Sequence, residues 1–180
     1  MRSLKLRKEI LIYKRLYELC CFYLLFWIET SALGQLMRNS DWLFPTAEIL
    51  HFVGLSLLIG PLMVVDLRLV GYLRNISFEA VYKLLPLSMV GFGINMLTGV
   101  LFIFSDPFRY YPNIAFRMKM GLVLLAGLNV LWFHLAVFPK TIKMSAEEKA
   151  NNVAKIVAIL SLLIWFAVIV LGRMIPYVEE

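Results

Sequence analysis

Four residues in one apolar stretch, Thr46 to Leu73, carry groups that lipid disfavours: Glu48, His51, Asp66 and Arg68. Ionisable side chains in a membrane span usually face the bundle interior and mark functional positions. Glu48 and His51 are three residues apart and share a helix face. An imidazole there could serve as a haem axial ligand or take up a proton. Asp66 lies fifteen residues beyond His51, roughly 22 Å along a helix axis. Arg68 follows it and can extend its guanidinium toward the surface. One helix thus serves two separate sites, one at each end.

The only other histidine, His134, stands five residues before Pro139. That places it at the level of Asp66, roughly 20 Å from His51 along the membrane normal. One iron needs its two axial ligands on opposite faces of a single ring, so the two histidines cannot both serve one haem. Two clusters are expected instead. The outer one gathers Glu48, His51 and Arg173 with Arg109, Tyr111 and Asn113 of the linker "SDPFRYYPNIAFRMK". The inner one gathers Asp66, Arg68 and His134. Asn95, Thr98 and Asn129 add polar groups nearer the bilayer middle. The plain alternative is that pairs such as Asp66 with His134, or Glu48 with Arg173, hold helix register.

No motif for catalysis accompanies these residues. HExxH and CxxC metal patterns, a glycine-rich phosphate loop and a serine nucleophile elbow are all missing from the sequence, so no catalytic residue and no metal site is assigned. Cys20 and Cys21 are adjacent and are expected to act as small buried apolar side chains.

The elements that must position the clusters follow from composition. Hydrophobic residues make up 61% of 180 and charged residues 17%, far from the balance of a soluble domain. The expectation is one all-α, integral membrane helical bundle over residues 1–180, up-and-down, with spans at about 46–73, 80–104, 114–138 and 152–175. Each has the roughly 20 apolar residues that a bilayer requires. Pro45 suits a helix start, while Pro139 and Pro176 read as stops. Pro61 should bend the first of these spans, with Ser56 placed to bond a freed carbonyl. Glycines at 54, 60, 91, 93, 99, 121 and 127 suggest close helix packing. Residues 12–37 are expected to form a fifth span, the alternative being a helix that lies in the interface. The net charge of +6 sets orientation rather than nucleic-acid binding. Linkers 66–83 and 139–155 hold seven Lys and Arg residues against five on the other side, and a spanning first helix adds the six before Leu16 to the richer side. The positive-inside rule then puts the N-terminus in the cytoplasm and the C-terminus in the periplasm.

The runs "SDWLFPTAEILHFVGLSLLIG", "DLRLVG", "YYPNIAFRMKMGLVLLAGLN" with "FH" after it, and "SLLIWFAVIVLGR" resemble, in order, a family of small bacterial integral-membrane proteins of unknown function. The resemblance covers about Ser40 to Pro176. It implies matching polar residues at Glu48, His51, Asp66, Arg68, Asn113, Lys119, Asn129, His134 and Arg173, and an inner-membrane location. More distantly, the His-containing helix entry is similar to haem-binding membrane protoporphyrinogen oxidases and to copper-resistance membrane proteins, which implies His51 as a ligand.

Three functions are therefore expected in descending order. The first is an accessory subunit of a membrane complex, respiratory or redox in character, with protein partners or further copies of itself in the bilayer. The second is a haem-b-binding redox protein with His51 as axial ligand, and Glu48, Arg173 and Arg109 completing the pocket. The third is a small transporter or proton-linked carrier, using the outer and inner clusters as stations.

Overall fold

The computed structural model describes residues 2–141 and 148–178, with side chains from Arg15 onward except Tyr17. Lys143, counted above among the linker charges, lies outside them. The described residues are helical throughout their ordered elements: α1 Arg2–Thr30, α2 Ala32–Asn39, α3 Leu43–Val70, α4 Phe78–Tyr82, α5 Leu85–Ser105, α6 Pro107–Tyr110, α7 Ile114–Trp132, α8 Phe138–Thr141 and α9 Asn152–Met174. A π-helical turn, Phe133–Val137, joins α7 to α8, and a 3-10 turn, Ile175–Tyr177, follows α9. Four segments are long and apolar enough to cross a membrane: Leu43–Val70, Phe78–Ser105, Ile114–Thr141 and Asn152–Tyr177.

The four spans pack in the order α5, α3, α9, α7. The α3 helix lies against α5 on one side and α9 on the other, and α7 completes the row against α9, while α5 and α7 share no extended contact. The ring is thus open between α5 and α7. The end carrying Pro45, Pro107 and Asn113 is called upper here, and the end carrying Arg68 and Phe78 lower. A lower core gathers Val65, Leu69, Phe78, Phe133, Val137 and Val157, and a smaller upper core joins Leu58, Ala126, Trp165 and Val168. Between 17% and 33% of each span is buried against protein, which leaves most of its apolar surface for lipid.

The α3–α5 contact is the tightest. A Cβ added at Gly91 would lie 2.4 Å from the Leu58 nitrogen and 2.6 Å from the Gly54 oxygen, and one at Gly54 would lie 2.7 Å from Asn95 Nδ2. Small residues at these two positions let the backbones approach closely. The other glycines expected to pack do not, since Gly60, Gly93, Gly99, Gly121 and Gly127 face open space.

Proline does less here than its chemistry suggests. The α3 helix continues through Pro61, and Ser56 Oγ donates to the Phe52 carbonyl at 3.0 Å rather than to the Leu57 carbonyl that Pro61 frees. Pro139 does not stop its span either. The π turn closes with the Phe138 N–H donating to the Phe133 carbonyl, and the chain resumes as α8 through Pro139. Pro176 does follow the end of α9 and sits in the 3-10 turn.

The expected fifth span over 12–37 is bent into two helices that together are long and apolar enough to count as one span. Ser31 caps α2, its hydroxyl accepting from the Gly34 N–H at 3.1 Å, and the segments Glu18–Thr30 and Ala32–Asn39 meet at a 58° bend. Both arms reach the same corner of the bundle. The Phe22 ring meets that of Phe108 at a 52° tilt with centroids 5.6 Å apart, and Arg38 donates to the Ser105 carbonyl at 3.1 Å and to the Glu29 carbonyl. Gly34 permits this, because a Cβ there would lie 2.7 to 2.9 Å from the Glu29, Ile28 and Phe104 carbonyl oxygens. Cys20 is exposed and Cys21 half-exposed, so neither is the buried filler expected of it. Cys21 Sγ instead lies 3.4 Å from the Tyr111 hydroxyl.

Candidate functional site

Four spans contribute to the upper site. Gly54 and Gly91 bring α3 and α5 together, and this sets His51 beside α5. His51 Nδ1 lies 2.7 Å from Thr98 Oγ1. The Thr98 hydroxyl has one proton, and its oxygen lies 2.7 Å from the Ile94 carbonyl oxygen. Carbonyl oxygens only accept, so where the hydroxyl donates to Ile94 it accepts from His51, and a neutral ring then has its proton on Nδ1 and its lone pair on Nε2. The ring is half-buried and lies 5.2 Å from that of Phe102, which in turn adjoins Phe44 at 5.6 Å.

Lys119 enters from α7, near enough for its charge to act on the His51 ring. Its ammonium rests against Gly172 of α9, where an added Cβ would lie 3.2 Å from Nζ. Lys119 is half-buried, and among the described residues no carboxylate or hydrogen-bond acceptor meets it. A lone pair without a donor and a cation without an acceptor thus stand at one level of the bundle.

The other expected members of the outer cluster are placed elsewhere. Arg173 is exposed and lies over the Tyr177 ring, 5.9 Å from its centroid. Arg109 is exposed and sits in α6, where its backbone N–H donates to Asp106 Oδ1 at 3.1 Å. Glu48 is exposed and acts on Tyr110 rather than on Arg173; burial pushes the Tyr110 phenol up, and Arg109 opposes that shift. Asn113 is structural. It caps α7 by accepting from the Phe116 N–H at 3.1 Å, and its amide donates to the Ile175 and Val178 carbonyls at 3.0 and 2.7 Å. That ties the start of α7 to the end of α9.

The expected inner cluster separates into three. Asp66 is 6% exposed and faces Ser161 of α9. Arg68 is fully buried rather than extended to the surface. Its Nε donates to the Ile76 carbonyl at 2.5 Å and its Nη1 to the Glu148 carbonyl at 3.2 Å, so it fastens the α3–α4 linker to the segment before α9. The π turn widens the helix where His134 sits, and His134 is exposed beside Phe133 and Phe138. No hydrogen bond or ion pair joins it to Asp66. His51 and His134 belong to opposite ends of the bundle.

Thr98, Phe102 and Lys119 complete the upper site, and the sequence reading grouped none of them with His51. Thr98 was read only as a polar group nearer the bilayer middle, Lys119 only as a position that the resemblance matches, and Phe102 reads as an ordinary span residue. Lys119 was the visible clue, a cation six residues inside a span that opens at the Asn113 cap.

This architecture defines the class, a polytopic all-α bundle of the membrane type. The chain belongs to the family of unknown function DUF6644, which it matches over residues 24–178. No curated protein and no solved structure matches it.

Proposed function

We propose that the protein is a multi-pass protein of the bacterial inner membrane, N-terminus cytoplasmic and C-terminus periplasmic, that binds haem b at its upper site. His51 would hold the haem iron through Nε2, and Lys119 would balance an anionic group of the cofactor. The observation that carries this reading is the 2.7 Å contact between His51 Nδ1 and Thr98 Oγ1, which engages that nitrogen and leaves Nε2 as the one that can ligate. Histidine ligands are oriented by a bond from the other ring nitrogen, which leaves the ligating nitrogen free. A half-buried ammonium with no protein acceptor suits an anionic group of the same cofactor. Haem would supply one-electron chemistry, and this chain's part is to orient the imidazole and balance the cofactor's charge. The test is the absorption spectrum of protein purified in mild detergent from haem-replete cells. A Soret band lost in His51→Ala and weakened in Lys119→Met supports the reading. No band in the wild type, or an unchanged one in His51→Ala, ends it.

An accessory-subunit role is the second reading, and α1 favours it. Phe22, Tyr23, Phe26 and Trp27 are each half-exposed or more, and among the described residues the ring contact of α1 with the bundle lies at its upper corner. A stoichiometric partner retained by the wild type and lost on Tyr23→Ala/Trp27→Ala would support it. Purification as a lone, stable species would remove it.

A further inference from the structure

A second polar layer lies in the lower half, apart from His51. Asp66 of α3, Ser88 of α5, Asn129 of α7 and Ser161 of α9 are all between 4% and 8% exposed, one from each spanning helix. Packing sets the other three within about a turn of Asp66 in depth. Gly91 presses on Leu57 and Leu58, so Ser88, one turn earlier on the antiparallel α5, stands beside Pro61 and Leu62, a turn above Asp66. Asn129 donates through Nδ2 to the Val157 carbonyl at 3.2 Å. Ser161, one turn beyond Val157, is the side chain that bonds Asp66.

Three oxygens in this layer have no hydrogen-bond partner in the protein: Asp66 Oδ2, Ser88 Oγ and Asn129 Oδ1. They are the only such buried side-chain atoms among the described residues. Buried acceptors are costly unless something satisfies them, and a buried carboxylate more so. Among the described residues no basic side chain pairs with Asp66. Arg68, the cation nearest in sequence, is engaged with the Ile76 and Glu148 carbonyls, and His134 is exposed. The facing helices offer hydroxyls and an amide.

We propose that this layer binds one monovalent cation of the sodium type. The available donors are all oxygens, the ligand type that hard cations take. One carboxylate balances one positive charge, whereas a divalent ion would leave net charge in the low-dielectric interior. A transition metal has no matching ligand set, since no three His, Cys, Asp or Glu side chains gather among the described residues. Asp66 supplies the charge, Ser88 supplies a neutral oxygen from the neighbouring α5, and Asn129 supplies one from α7 across the bundle, so the ion would draw its ligands from α3, α5 and α7.

The full chain in detergent micelles tests this by its thermal unfolding in sodium chloride, potassium chloride or choline chloride at equal ionic strength, with equilibrium binding of radiolabelled Na+ in parallel. Sodium raises the midpoint saturably over choline, as a ligand of the folded state must. Asp66→Asn abolishes both the shift and the binding, and Ser88→Ala weakens binding by about tenfold. His51→Ala retains both, which separates this site from the upper one. Identical midpoints in sodium and choline with no bound label overturn the proposal, leaving a proton or water in the layer. So does a wild-type sodium response in Asp66→Asn. If Asp66→Asn does not fold, undiminished Na+ binding in Ser88→Ala and Asn129→Leu overturns it equally.

Discussion

The two halves of the bundle draw on the same four helices and lack opposite things. Above, His51, Thr98, Lys119 and Gly172 leave an ammonium without an acceptor and an imidazole lone pair without a donor. Below, Asp66, Ser88, Asn129 and Ser161 leave three acceptors without a donor. The upper groups are half-buried and the lower ones nearly sealed. In low dielectric each unmatched group asks for its complement, so the upper site suits an anionic partner of appreciable size and the lower one a small cation. The helices set depth and spacing alike for both. What differs is the sign of the charge each layer leaves unmet.

Arg68→Ala should injure the lower half most. It leaves the Ile76 and Glu148 carbonyls unpaired and empties a fully buried position, at about 3 kcal/mol. Thermal unfolding in detergent and faster proteolysis within residues 72–77 would show it, with any spectrum of the upper site kept in the surviving folded fraction. Gly91→Val should injure both halves, because the new side chain meets the backbone of Leu57 and Leu58 at the crossing between the two layers. A loss of about 2 kcal/mol is expected, with ligand and sodium responses weakening together. A response that weakens in one half alone would show that the layers are not mechanically joined through α3 and α5.

His51→Ala removes one hydrogen bond to Thr98 and should lower stability by only about 1 kcal/mol, while abolishing binding at the upper site. This gap between a small effect on folding and a large one on binding sharpens the distinction between a ligand and a register-holding residue. His134→Ala should do least. The side chain is exposed, so stability should stay within about 0.5 kcal/mol and both sites should keep their responses. A strong effect on the lower layer would mean that His134 reaches Asp66 after all.

Several parts of this arrangement were legible before any coordinates. Uninterrupted apolar runs announced the four spans, since only helices satisfy their own backbone in lipid. The two-ended character of α3 followed from helical rise alone, and it separated His51 from His134. Other parts were not legible. The sequence reading grouped Arg173 and Arg109 with His51 by depth, but depth says nothing about azimuth, and both lie exposed. Ser88 and Ser161 were invisible because a serine in a span is ordinary, and only burial without a partner marks Ser88. The break at Ser31 was missed because an apolar run over 16–28 reads the same whether the helix continues or turns, and the turn depends on Gly34 meeting the Phe104 carbonyl.

By itself the sequence determined the class, the four long apolar spans, and which ionisable residues would be costly at which depth, because hydropathy and helical rise are local quantities. The tertiary structure decided which of those residues meet. Close approach at Gly54 and Gly91 sets His51 against Thr98, the turn at Ile76 captures Arg68, and the π turn leaves His134 outside. Those outcomes depend on helix rotation and on contacts between residues far apart in the chain, which no local spacing encodes.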